Sequence, residues 1–141
     1  MIKVTCALIV SEDKILVVQR GPESSHPFLW EFPGGKIKPG ETPEACIQRE
    51  IAEELDVEIE IIKAMQPVEY DYGNKPIELI PFLCTIKSGQ LKFNVHVGYD
   101  WKEWDKLEKA GFSEADRILI GQAQNNQLLK EYFGEQVDNA G

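Results

Sequence analysis

A chain of 141 residues, 43% hydrophobic and 28% charged, has the size and balance of one globular domain, 1–141, with a buried core. Its net charge of −9 argues against a sequence-independent grip on nucleic acid polymer, which needs Lys and Arg against phosphates; it leaves room for a nucleotide whose polyphosphate is bridged to acidic side chains by metal ions. No long apolar run and no leader pattern at Met1-Ile2-Lys3 point to a membrane or to export, and Cys6, Cys46 and Cys84 form neither a disulfide framework nor a zinc pattern, so a reducing, cytoplasmic setting is expected.

Residues 2–10 and 14–20 read as two strands joined by a turn at Ser11-Glu12-Asp13, a hairpin. Arg20 closes the second strand, where an ordinary surface charge is the plain reading. Residues 21–27 form a polar loop whose His26 reads as a bystander, and Phe28-Leu29-Trp30 packs that loop on the sheet. Strands are expected at 57–64 and 67–72, then a turn at 71–76 and a long strand at 77–87, with 90–97 as its hairpin partner. Pro81 inside the long run predicts an edge strand or a bulge. Residues 101–110 read as a short amphipathic helix or turn, with Trp101, Trp104 and Leu107 in the core. Ser113 is placed to cap a longer helix from Glu114, with Asp116 in a capping-box-like position. Ile118, Leu119, Leu128, Leu129, Tyr132 and Phe133 lay that helix on the sheet, and a tail over 134–141 is expected to fray.

The stretch 35–57, GKIKPGETPEACIQREIAEELDV, carries the densest signal. Thr42 is an N-cap, Pro43 suits the first helical position, and Glu44 sits where the helix dipole favours negative charge. Glu50, Glu53 and Glu54 fall on one helical surface, beside a core stripe of Ile47, Ile51 and Leu55. Only Arg49 interrupts the carboxylates. Two readings stand: a hard divalent cation compensates them, or they form a solvated acidic face.

These residues resemble the box of the Nudix hydrolases: Gly35, then Glu41, then Arg49-Glu50-Ile51, Glu53, Glu54 and Val57, each at the family's spacing. Asp56 stands where the family usually has Gly, a left-handed cap position that Asp tolerates. The flanking Trp30-Glu31-Phe32-Pro33-Gly34-Gly35-Lys36 is similar to the MutT-type branch, and the likeness covers about residues 3–122. It implies an α+β fold with a mixed sheet between helices. It implies hydrolysis of a nucleoside or deoxynucleoside triphosphate to the monophosphate and pyrophosphate, with Mg2+, or Mn2+ in its place. Glu50, Glu54 and the Gly34 carbonyl would hold the metal, with Glu53 in support, directly or through water. Glu41 and Arg49 would form the pair that ties loop to helix. Arg20, Phe32, Lys36 and Asp116 would face the nucleotide, although core packing for Phe32 and plain dipole capping for Asp116 stay open. An ionised Asp116 accepts only, which favours cytosine or an altered guanine.

One position departs more seriously. Many MutT-type proteins carry a glutamate about six residues before the downstream Trp; counting back from Trp101, that place holds Val95, followed by His96. The general base is therefore open between Glu50 and Glu53, with His96 as a substitute or as a structural residue. A Nudix hydrolase for another nucleoside diphosphate derivative such as ADP-ribose, or a non-catalytic nucleotide sensor, is the alternative. Monomer and homodimer are both expected forms.

Overall fold

The computed structural model describes residues 1–109 and 111–140. Its elements are β1 (Ile2–Ser11), β2 (Lys14–Gln19), β3 (Trp30–Glu31), β4 (Gly34–Lys36), α1 (Pro43–Leu55), β5 (Val57–Ala64), β6 (Val68–Asp71), β7 (Pro76–Gly89), β8 (Gly98–Glu103), a 3-10 turn (Trp104–Lys109), α2 (Glu114–Gly121) and α3 (Ala123–Ala140). The sheet has eight strands in the order β3-β2-β1-β7-β5, with β4 on β1, β6 on β7 and β8 on β2. β1 and β7 run parallel and the other pairs are antiparallel, so the sheet is mixed.

Alternation along β1 and β2 sends successive side chains to opposite faces. Cys6, Leu8, Val10, Ile15 and Val17 meet Leu119, Ile120, Leu129 and Phe133 of α2 and α3. Ala7, Ile9, Leu16 and Val18 meet Ile47, Ile51 and Leu55 of α1. The sheet therefore lies between helices, as the resemblance implies. Among the described residues no helix is long and apolar enough to cross a membrane.

One edge of β1 changes partner along its length. β4 pairs with Val4–Cys6 and β2 with Val10 and Ser11, and between them the Ala7 amide donates to the Pro33 carbonyl at 2.8 Å. Two clefts, lined by residues of β3, β4 and the end of β2, lie beside this exchange.

Several local expectations are corrected. Pro81 does not mark an edge, because β7 is central; the bulge, the other expectation, is found nearby, in the β5–β7 pairing between Ile61 and Lys63 opposite Cys84 and Leu83. The Pro81 carbonyl accepts from the Met65 amide at 3.0 Å, just past the end of β5. The missing N–H faces the same gap before β6, so no ladder bond is lost. Residues 90–97 are not a strand. They cap α1 instead: the amides of Lys92 and Asn94 donate to the carbonyls of Leu55 and Glu54 at 2.9 and 3.0 Å, and Asn94 Nδ2 donates to the Glu53 carbonyl at 2.9 Å. These are carbonyls a helix end leaves unpaired. Trp101 belongs to β8, opposite Leu16, and only Trp104 to Lys109 turns.

The helix from Glu114 breaks at Gln122, whose backbone is extended. Gln122 Oε1 accepts from the Asn125 amide at 2.8 Å and so starts α3. Asn125, 1% exposed, then accepts from the Gln66 amide at 2.7 Å and donates to the Gln66 carbonyl at 2.9 Å. Where fraying was expected from 134, the backbone is helical through Ala140, because buried Leu129 and Phe133 anchor the helix one turn apart and Gly134 does not stop it. Gly141 lies outside the described residues.

Candidate active site

The β4–α1 connection is built on two close approaches. A Cβ on Gly34 would lie 2.0 Å from the Thr5 carbonyl oxygen, and one on Gly35 would lie 2.4 Å from the Glu50 carboxyl carbon. At Gly34 the neighbour is backbone, so only glycine fits; at Gly35 it is the end of the Glu50 side chain, which a Cβ would push aside. Thr42 Oγ1 accepts from the Ala45 amide at 3.1 Å, and Pro43 opens α1 as its spacing predicts. Asp56 ends α1 in the left-handed region at φ 62°, ψ 27°. The departure from Gly thus leaves the backbone path intact.

Arg49 is the hub of the helix face. Its Nε and Nη2 donate to the two Glu41 oxygens at 2.7 and 2.9 Å, a bidentate fork. Nη1 donates to Glu50 at 2.9 Å and to Glu53 at 3.3 Å, and Nη2 reaches the Lys36 carbonyl at 3.3 Å. The fork holds the Glu41 carboxyl down at about 2, helped by the Lys38 amide. Glu41 and Arg49 thereby lock the loop onto α1 behind the site.

Glu54 is different. It is 8% exposed, and no Lys or Arg lies within ion-pair distance of it among the described residues. Burial pushes its carboxyl up to about 9, and the adjoining Glu50 and Glu31 push the same way, against a backbone hydrogen bond from Gly34. Glu53 is 57% exposed and tied only to Arg49. Among the described residues no three His, Cys, Asp or Glu side chains already converge as a finished metal site. The donor chemistry nonetheless fits a hard ion. Glu50 and Glu54 are adjacent oxygen donors, one of them short of a countercharge, beside a backbone that carries no Cβ at Gly34 and Gly35.

Two clefts meet at this point. One, of about 500 Å³, is lined by Gly34, Glu50, Glu53, Glu54 and His96. The other, of about 700 Å³, is lined by Phe32, Lys36, Tyr72, Ser113 and Asp116. Arg20, Ser25, Glu31 and Gly34 line both. Every residue assigned to metal or nucleotide from the sequence therefore lines one cleft or the other, while Glu41 and Arg49 line neither.

Within the larger cleft Phe32 is also core, 3% exposed with its ring 5.1 Å from that of Phe112. Asp116 is buried, and burial, with Glu31 adding, pushes its carboxyl up to about 7 against hydrogen bonds from Ser113 and the Phe32 backbone. Ser113 does not cap α2 with its side chain; its hydroxyl donates to Asp116 instead, and the Tyr72 hydroxyl accepts from the Ala115 amide at 3.0 Å. Asp116 is thus not a fixed anion. Near neutrality it takes either form, donating when protonated and accepting when ionised.

Glu31, Tyr72 and His96 complete the arrangement. Arg20 Nε donates to Glu31 Oε1 at 2.9 Å. His96 Nε2 lies 3.5 Å from Glu31 and 3.6 Å from Glu54. The sequence signal for Glu31 was a charge set among apolar residues in the strand that feeds the box. Tyr72 gave none beyond a turn, because its partner is 43 residues away.

A profile of the NUDIX domain matches residues 1–123. The chain is 32% identical over 120 residues to the CTP pyrophosphohydrolase of Escherichia coli strain K12, spanning 85% of this chain and 89% of that one. It is 30% identical over 124 residues to the 8-oxo-dGTP diphosphatase of Buchnera aphidicola, spanning 88% and 98%. Its fold superposes on the solution structure of the E. coli ORF135 protein with a TM-score of 0.78 at 27% identity, covering 94% of this chain and 92% of that chain.

Proposed function

The chain belongs to the Nudix hydrolase family, and from that premise we propose that it hydrolyses a nucleoside or deoxynucleoside triphosphate to the monophosphate and pyrophosphate, with Mg2+ as its ion. The observation that carries this is the meeting of the two clefts. An acidic one holds Glu50, Glu53 and Glu54, a larger one holds Phe32 and Asp116, and Arg20 reaches both. A polyphosphate fits the first only if a cation joins it to the carboxylates, and a base fits the second. Glu50, Glu54 and the Gly34 carbonyl would hold the ion, which when bound would supply charge neutralisation and a more acidic water.

The chain's own residues do the rest. Arg20, braced on Glu31, offers its remaining guanidinium N–H groups to phosphate oxygens. Arg49 fixes the rotamers of Glu50 and Glu53, so either carboxylate is presented in one orientation to take a proton. Lys36 stands at the mouth of the larger cleft as a point charge for phosphate. Asp116 reads the edge of the base. The relatives named for CTP and for 8-oxo-dGTP mark the two substrate candidates, and both bases can meet a group that donates or accepts.

The test is pyrophosphate release with Mg2+ over the canonical ribo- and deoxynucleoside triphosphates and 8-oxo-dGTP, with ADP-ribose and nucleotide sugars alongside. Turnover of one triphosphate well above the rest is the expected result. Turnover of ADP-ribose or a nucleotide sugar alone overturns the triphosphate reading, and ion binding without turnover of any compound turns the protein into a nucleotide sensor.

A further inference from the structure

His96 lines the acidic cleft, yet it belongs neither to the box nor to the residues assigned to the base. Its side chain is 5% exposed, and Nε2 lies 3.5 Å from Glu31 Oε2 and 3.6 Å from Glu54 Oε1. The other ring nitrogen, Nδ1, is buried with no hydrogen-bond partner. Nε2 is thus the ring nitrogen that faces polar groups of the chain. With a hydrogen on Nε2, the ring points a donor at two carboxyl groups, those of Glu31 and Glu54. Both separations are ion-pair distances, at or beyond the outer limit of a hydrogen bond, so the ring stands between the two carboxyls and is closed on neither.

The backbone around His96 is pinned on both sides. Asn94 donates from N and Nδ2 to the carbonyls of Glu54 and Glu53, and the Val97 amide donates to the Gln19 carbonyl at 3.1 Å. The imidazole is thus placed by the end of α1 and the end of β2 together. Its neighbour Val95 is 60% exposed and offers only methyl groups to the acidic cleft. A carboxylate at Val95 would have added another negative charge beside Glu31, Glu50, Glu53 and Glu54. The imidazole supplies a donor instead.

We propose that His96 is a positioning residue of the acidic cleft: its Nε2–H sets the orientation of Glu54 and of Glu31, and through Glu31 that of Arg20. The inference rests on the reading that this cleft binds a divalent ion for triphosphate hydrolysis.

The experiment compares wild type with His96→Gln, which keeps an N–H donor near the place of Nε2, and His96→Phe, which keeps a buried ring without one. Mn2+ affinity is read by the electron paramagnetic resonance of the bound ion, and kcat and KM are measured with Mg2+ on the preferred triphosphate. His96→Phe is expected to weaken Mn2+ binding and lower kcat by about 10- to 100-fold, the usual scale for a residue that orients metal ligands, while His96→Gln recovers most of both. Where His96→Phe does not fold, His96→Ala takes its place. Equal losses in the Gln and Phe variants, or Mn2+ binding unchanged in the Phe variant, overturn the assignment. Wild type inert toward every triphosphate overturns the proposed reaction instead, and the Mn2+ titration still decides the role of His96.

Discussion

Glu41 and Glu54 are both glutamates of the box, and the structure treats them in opposite ways. Glu41 has a guanidinium forked onto both oxygens and a carboxyl held down at about 2. Glu54 is buried with no Lys or Arg at ion-pair distance among the described residues and a carboxyl pushed up to about 9, and Asp116 in the second cleft is pushed up to about 7. A carboxylate whose countercharge is built into the chain is a fastening. A carboxyl that the fold buries with its charge so poorly offset suits, on the proposed reading, a group from outside the chain: an ion at Glu54 and a base at Asp116.

The contrast breaks first at Glu54. Glu54→Gln removes the ligand but keeps the shape, and a carboxyl that holds its proton in the absence of a cation loses little on becoming an amide. Turnover with Mg2+ is expected to fall by at least about a hundred-fold with an unchanged melting temperature. A Gln variant that still turns over near wild type removes Glu54 from the metal site. Next is Arg49→Lys, in which a point charge replaces the fork and cannot bridge Glu41, Glu50 and Glu53 together. Activity should drop about ten-fold and the melting temperature should fall, so here, unlike at Glu54, both readings move.

Asp116→Asn sharpens the second half of the comparison. A carboxyl raised from its ordinary 3.8 to about 7 is harder to ionise folded than unfolded. Wild-type stability therefore carries no penalty below about 4 and loses stability as pH rises from there toward 7. The Asn variant lacks that loss. Its melting temperature should exceed the wild type's at pH 8 and match it at pH 4, while its preference among bases changes. The smallest effect is expected at Asp56→Gly, which relieves a left-handed residue at the end of α1 against a more flexible unfolded chain. Stability should change by about 1 kcal/mol or less, with kcat untouched, read by denaturant melts.

The same contrast explains what could be read from the chain. The box was legible because its interactions are local. Thr42, Pro43, Glu50, Glu53, Glu54 and Asp56 act within one helix and its ends, and Arg49 finds Glu41 only 8 residues away. The mixed sheet between helices was legible from alternation and order. Residues 90–97 were not, because their partners are the carbonyls of α1, about 40 residues back, and no periodicity encodes a cap supplied from that distance. Pro81 misled because the rule for proline in a central strand depends on where its missing N–H points, which only the pairing reveals. His96 was visible as a residue but not as a neighbour of Glu31 and Glu54, since that contact depends on the same misread loop.

The buried amide of Asn125 closes a ring of hydrogen bonds with Gln66 from the far side of the molecule, and α2 hangs between that ring and the mouth of the larger cleft. It works as a rivet on a lever. The Gln66 amide, although it lies between strands, should be among the slower protons to exchange with solvent. Loosening the rivet would free α2 to tilt and so change how deep Asp116 stands, while α1 and its carboxylates stay in register. On the proposed reading, choice of substrate and capacity for hydrolysis would then be mechanically separable.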